Sequence, residues 1–88
     1  MKVYELIKLT INDGDKEVET SLYPTIGALD FSFIKMVEEE LNIIKENYGE
    51  ESEDVYISLD EEAHIFYAND EVDPGMHETS IWMVEHEL

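Results

Sequence analysis

The tetrapeptide Asn12-Asp13-Gly14-Asp15 separates two stretches of alternating residues and constrains the fold more than any other feature of the chain. Asp-Gly favours a tight two-residue turn because such a turn needs positive φ angles. We therefore predict a β-hairpin with strands over residues 3–11 and 17–23, the second ended by Pro24. The alternation in the second strand sets Val18, Thr20 and Leu22 against Glu17, Glu19 and Ser21. It predicts one buried face and one acidic face.

After the hairpin the apolar spacing changes to steps of three and four, which predicts one amphipathic helix over residues 30–48. Its expected buried face consists of Ile34, Val37, Leu41, Ile44 and Tyr48, flanked by Phe33 and Lys45. Asp30 is the expected N-cap and Gly49 the expected C-terminal glycine. Met36 and Ile43 fall outside the face, either as ordinary exposed apolar residues or as a small contact patch.

Three further strands are predicted over residues 55–59, 63–68 and 79–86. Asp60-Glu61-Glu62 forms the first connecting turn, and Asp73-Pro74-Gly75 suits a type II turn. The order ββαβββ predicts an α+β fold, with a mostly antiparallel sheet of four to five strands and one helix packed on one face. A chain of 88 residues supports one core, so residues 1–88 are expected to form a single domain.

Charge is the second constraint, because the chain carries 23 acids against five basic residues, all lysines, for a net charge of -18. Residues 46–88 contain 14 of the acids and no lysine or arginine. A net charge of about 2 to 8 suffices to keep a small domain soluble. A merely solvated surface is one interpretation of the excess. Self-repulsion disfavours it, because unrelieved like charge destabilises a compact chain.

Composition also excludes several functions. Nucleic-acid binding is disfavoured because cations must neutralise the phosphates, whereas this chain is strongly negative. Phosphoryl chemistry is disfavoured because the chain has neither arginine nor a glycine-rich loop to hold phosphate groups. The chain has no cysteine. The histidines near Glu78 and Glu85 have suitable ligand chemistry, but strand alternation points His86 away from Glu85 and Glu87. We therefore predict a non-catalytic protein with no metal and no cofactor.

The N-terminal segment and the hydropathy pattern bear on location. Glu5 stands where a signal peptide would enter its apolar region, and no apolar run approaches about 18 residues. We expect a soluble, cytoplasmic protein that does not interact with membranes.

The acids offer a docking surface instead. Glu17 with Glu19, and Glu85 with Glu87, stand two apart on predicted strands, which separates each pair by about 7 Å. Comparable spacing separates successive phosphates along one nucleic-acid strand, which advances about 3.4 Å per residue along the helix axis while it winds around that axis. Asp13 and Asp15 add charge at a sheet end. The predicted partner-binding residues are Glu50, Glu51, Glu53, Asp54, Asp60, Glu61, Glu62, Asp70, Glu71 and Asp73. Candidate apolar anchors are Tyr56, Phe66, Tyr67 and Trp82.

In size and charge the chain resembles phage anti-restriction and anti-CRISPR proteins and the immunity proteins of nuclease toxins. That resemblance implies an inhibitor that covers the basic nucleic-acid channel of a nuclease or defence effector by charge mimicry. Two alternatives stay open. One is an immunity protein that covers a toxin's active site or exosite. The other is a structural or regulatory subunit that self-associates through a sheet edge or the Met36/Ile43 patch.

Overall fold

In a computed structural model of the protein, the described residues are 1–49, 53–73 and 75–88. The strands are β1 (Lys2–Asn12), β2 (Asp15–Tyr23), β3 (Val55–Asp60), β4 (Ile65–Asp70) and β5 (His77–Glu87), and the helix α1 is Ile26–Tyr48. The strands form one five-stranded antiparallel sheet in the order β2-β1-β5-β4-β3. The predicted order ββαβββ and the α+β class are confirmed.

The Asp-Gly turn has the predicted conformation. Asp13 and Gly14 have φ angles of 50° and 84°, and Asn12 pairs with Asp15 at the end of the hairpin. The turn is also tied to the β4–β5 connection, because Asp13 N–H donates to Met76 C=O at 3.1 Å and Gly14 N–H donates to Gly75 C=O at 2.8 Å. The two turns therefore lie side by side at one end of the sheet.

The helix begins earlier than the apolar spacing predicts. Thr25 is the N-cap, with extended backbone and a hydroxyl that accepts the Ala28 N–H at 3.1 Å. Pro24 stops β2 and Thr25 supplies the cap at once, so the assignment of Asp30 as N-cap is wrong. The predicted C-terminus is confirmed: Gly49 has a φ of 88°, and its N–H donates to the Lys45 C=O at 2.9 Å.

The earlier start changes which side of the helix is buried. Leu29, Phe33, Val37 and Ile44 pack on Leu6, Phe66, Ala68 and Ile81 of the sheet. Ile34 and Leu41, predicted to be buried, are 42 % and 36 % exposed because the face centred on Phe33 turns them outward. Met36 packs partly against the core, whereas Ile43 stays exposed. The predicted Met36/Ile43 patch is thus reduced to Ile43.

Only one face of the sheet is covered by the helix. The buried strand residues, such as Leu6, Phe66 and Ile81, share that face by strand alternation. On the opposite face Val18 and Leu22 are 63 % and 66 % exposed, so their predicted burial is wrong. We call this opposite side the open face; its large apolar residues are Val3, Ile7, Leu9, Ile11, Val18, Leu22, Ile65, Trp82 and Val84.

The two loops around β4 show where the observed structure differs from the predicted strand limits and turns. The β3–β4 turn extends through His64, whose φ is 57°, so β4 starts at Ile65 rather than at residue 63. Asp60 Oδ1 accepts the Ala63 N–H at 3.1 Å within this turn. In the β4–β5 connection the Met76 N–H donates to the Asp73 C=O at 3.0 Å, and Pro74 of the predicted type II turn lies outside the described residues.

Candidate functional site

Acids from three separate parts of the chain meet at one end of the sheet. The β1–β2 turn adjoins the β4–β5 connection, and Glu71 N–H donates to Asp54 C=O at 2.8 Å, which ties the entry of β3 to the same end. We call this the acidic end; it consists of Asp13, Asp15, Glu53, Asp54, Glu71 and Asp73, all exposed. Five strands spaced about 4.8 Å apart give it a width of about 19 Å.

Asp70 lies beneath the acidic end and is buried, with 8 % of its surface exposed. Its Oδ1 accepts the Val72 and Asp73 N–H groups, each at 2.9 Å, and its Oδ2 accepts the Tyr48 hydroxyl at 2.8 Å. The Asp73 backbone bond, followed by the Tyr48 bond, holds the pKa of Asp70 below its ordinary value. Asp70, predicted as a docking charge, is therefore engaged inside the fold. It positions the loop that carries Glu71 and Asp73.

Tyr48 is the other half of this anchor. Burial, and then the hydrogen bond to Asp70, raises the pKa of Tyr48 to about 12. Because Tyr48 closes the helix and Asp70 closes β4, their bond fastens the end of α1 to the loop. The acidic end is thus held in a defined geometry before any partner arrives.

The remaining predicted docking residues do not join this cluster. Glu50 and Glu51 lie outside the described residues. Asp60, Glu61 and Glu62 are exposed at the opposite end of the β3–β4 hairpin, about 20 Å away along six strand residues. The two groups are thus separated by the length of the hairpin.

Asp13 and Asp15 are absent from the predicted docking set, although the structure brings them to the acidic end. The Asp-Gly turn signalled their place at an end of the sheet. Which other turns share that end depends on strand order, because β5 inserts between β1 and β4.

The acid pairs on the strands differ in availability. Glu85 lies 3.6 Å from Lys2 Nζ, and Glu87 lies 3.6 Å from the N-terminal amino group. Glu17 and Glu19 are exposed on the edge strand β2. The β2 pair therefore adds charge to the surface, while the β5 pair is partly neutralised.

A buried polar cluster lies between the helix and the sheet. Glu40 is 2 % exposed as a residue, and its carboxylate accepts the Thr79 hydroxyl at 3.0 Å and lies 2.7 Å from Lys8 Nζ. His77 Nε2 is 3.9 Å from Glu40 and has no hydrogen-bond partner, while its Nδ1 lies 3.1 Å from Asn12 Oδ1. These groups share one enclosed environment and anchor the helix on the sheet.

The three histidines lie apart from one another. His64 pairs with Asp30 and His86 with Glu5, both at 2.9 Å, and His77 belongs to the buried cluster. Among residues 1–49, 53–73 and 75–88, no group of three or more His, Cys, Asp or Glu side chains could hold a metal ion. In the same ranges no helix is long and apolar enough to cross a membrane.

The proposed aromatic anchors occupy different places. Phe66 is 1 % exposed in the core, so it is unavailable to a partner. Tyr56 is 48 % exposed, and its ring centroid lies 6.2 Å from that of Tyr67 on the open face. Trp82 is half-buried on the same face. Tyr56, two residues from Asp54, is therefore the candidate anchor closest in sequence to the acidic end.

Comparison with known proteins adds no identification: no protein-family model, curated protein sequence or solved structure matches the chain. Function is accordingly inferred from the charge and geometry of the described residues.

Proposed function

We propose that this protein is a non-catalytic inhibitor that binds the basic nucleic-acid-binding surface of a nuclease or defence effector by charge mimicry, acting in the cytoplasm. The observation that carries the proposal is the acidic end: six exposed carboxylates from three segments, across about 19 Å, in a chain of net charge -18. A phosphate backbone presents charges every 3.4 Å or so along each strand. The acidic end offers comparable charge density on a folded support.

Pre-organisation supports this function. The turns carrying Asp13 and Asp73 are hydrogen-bonded into the sheet, and Asp70 bonds the Val72 and Asp73 amides. A partner therefore need not order residues 71–73, and the entropic cost of association falls. Electrostatic attraction then speeds encounter, toward about 10⁸ M⁻¹s⁻¹ at low salt.

A competition experiment tests the proposal. A fluorescent DNA or RNA duplex is bound to candidate nucleases and defence effectors, and its displacement by the protein is followed by anisotropy. One variant neutralises the acidic end by Asp13→Asn, Asp15→Asn, Glu71→Gln and Asp73→Asn. A control with the same charge change carries Glu17→Gln, Glu19→Gln, Glu38→Gln and Glu39→Gln, at exposed positions elsewhere.

We expect the acidic-end variant to displace the duplex at least about tenfold less well than the control at low salt, since local charge sets the encounter rate. Equal losses in both variants would mean that net charge, and not the acidic end, drives binding. Failure of the wild-type chain to displace nucleic acid from every effector tested at low salt would reject the proposal.

A further inference from the structure

The open face carries few charges for so acidic a chain. Strand alternation gives it three acids and one lysine: Glu5, Asp60, Glu78 and Lys16. The other acids among residues 1–49, 53–73 and 75–88 lie on the helix side, at the strand ends and in the loops. An apolar sheet face with this little charge is poorly suited to a basic groove, and it stays uncovered by any described element.

The acids on β1 and β5 of the open face already have partners within the face. Glu5 Oε1 lies 2.9 Å from His86 Nε2, and the Tyr67 hydroxyl donates to Glu78 Oε1 at 2.9 Å. Covering a hydrogen-bonded polar group costs less than covering a free one. The face can thus lose water without stranding these carboxylates.

We propose that two copies of this chain associate open face to open face about a two-fold axis parallel to β1, with both helices on the outside. β1, with 11 residues, spans about 36 Å, and β2, β1 and β5 together cover about 14 Å. Their overlap is about 500 Å² of flat area per copy, or about 1,000 Å² in total, which is about the smallest area expected of a biological interface. Because side chains protrude from the sheet, the accessible surface area that is buried exceeds this flat area.

The residue register favours a second copy over an unrelated partner. Ile11 pairs with Lys16 on β2 and with Glu78 on β5, so one row of the open face runs Lys16, Ile11, Glu78. Rotation about an axis along β1 exchanges the β2 and β5 sides. Lys16 of each copy then faces Glu78 of the other, at two symmetry-related places. Ile11 lies between these two pairs, and the other open-face residues of β1, Ile7, Leu9 and Glu5 among them, also meet their own symmetry mates.

The same symmetry predicts an unusual salt dependence. An axis along β1 leaves both strand directions unchanged, so the two acidic ends lie at the same end of the dimer, in sheets about 10 Å apart. Their repulsion is screened over about 8 Å at physiological ionic strength. Salt should therefore tighten the dimer. It should weaken the charge-driven binding proposed above, which separates failure of one proposal from failure of the other.

Sedimentation equilibrium of the full chain tests the dimer. The mass should rise from 10.2 kDa toward twice that value with concentration, at lower concentration in about 0.5 M than in about 0.05 M salt. The variant Val18→Lys with Leu22→Lys alters side chains that are mostly exposed in the monomer, so folding should persist. Its control, Phe31→Lys with Ile43→Lys, adds the same charge at exposed helix positions.

We expect the dimer dissociation constant to rise at least about tenfold in the open-face variant and to change little in the control. Lys16→Glu alone should also weaken the dimer, and adding Glu78→Lys should restore it. A wild-type chain that stays monomeric at all concentrations and salts would overturn the proposal. So would equal dimerisation by the open-face variant and the wild type, or an open face that only a different protein covers.

Discussion

Replacing Lys8 by methionine removes the ammonium group that lies closer than His77 to the buried Glu40 carboxylate. The Lys8 ammonium lies 2.7 Å from the carboxylate, and the side chains are only 15 % and 3 % exposed. Methionine keeps much of the aliphatic volume but removes the charge. Glu40 then stays buried with the Thr79 hydroxyl as its remaining close donor.

The expected loss follows from the asymmetry of buried ion pairs. Removing one partner of such a pair costs about 3 to 5 kcal/mol, because the other charge is left uncompensated. Thr79 still donates and Lys8 is not fully enclosed, so we expect the low end, about 3 kcal/mol. An 88-residue domain has a total stability of about 4 to 13 kcal/mol, so Lys8→Met should be folded but plainly weakened.

Urea unfolding at fixed protein concentration measures this effect, and Lys2→Met is the control. Lys2 lies 3.6 Å from Glu85 with both side chains about half exposed, so its removal should cost less than about 1 kcal/mol. Adding Glu40→Met to Lys8→Met removes the stranded charge and should recover stability, apart from about 1 kcal/mol for the Thr79 hydroxyl. A double variant no more stable than Lys8→Met would refute the reasoning.

Further predictions concern the anchor beneath the acidic end and the hairpin turn. In an absorbance titration of the tyrosines, Tyr48→Phe should remove the ionisation step near pH 12 that belongs to Tyr48. The Tyr48–Asp70 hydrogen bond helps to lower the pKa of Asp70 in the folded state. The difference in unfolding free energy between wild type and Tyr48→Phe should therefore be largest at neutral pH, and it should shrink below about pH 4 as acid protonates Asp70. Gly14→Ala should destabilise by about 1 kcal/mol from its φ of 84° alone, since an added Cβ meets nothing within 4 Å. Gly27→Ala, equally open but helical, should instead stabilise by about 0.5 to 1 kcal/mol in thermal melts.

The sequence predicted the elements whose signals are local. Asp13-Gly14 specified the hairpin and Gly49 the helix end, because each residue's own backbone preference decides its conformation. The helix start was misplaced because Asp30 and Thr25 are both acceptable caps, and the choice depended on how closely the helix follows Pro24.

The candidate site was predicted only in part. Acids at the turns were expected to contribute charge, yet strand order decided that Asp13 and Asp15 share an end with Glu71 and Asp73. In the sequence nothing distinguishes Asp70 from the neighbouring acids Glu71 and Asp73. Its burial depends on Tyr48, 22 residues earlier, which bonds its carboxylate.

The amino-acid sequence was sufficient to predict the order of strands and helix along the chain, the hairpin turn and the excess of negative charge. These features depend on neighbouring residues and on composition. Tertiary structure decided which face of β1 is buried, because Leu6 competes with equally apolar residues such as Ile7 and Leu9 on the other side. It also buried Glu40, through partners 32 and 39 residues away in the chain. Burial and charge pairing across such separations depend on packing, and packing left one face of the sheet apolar and open.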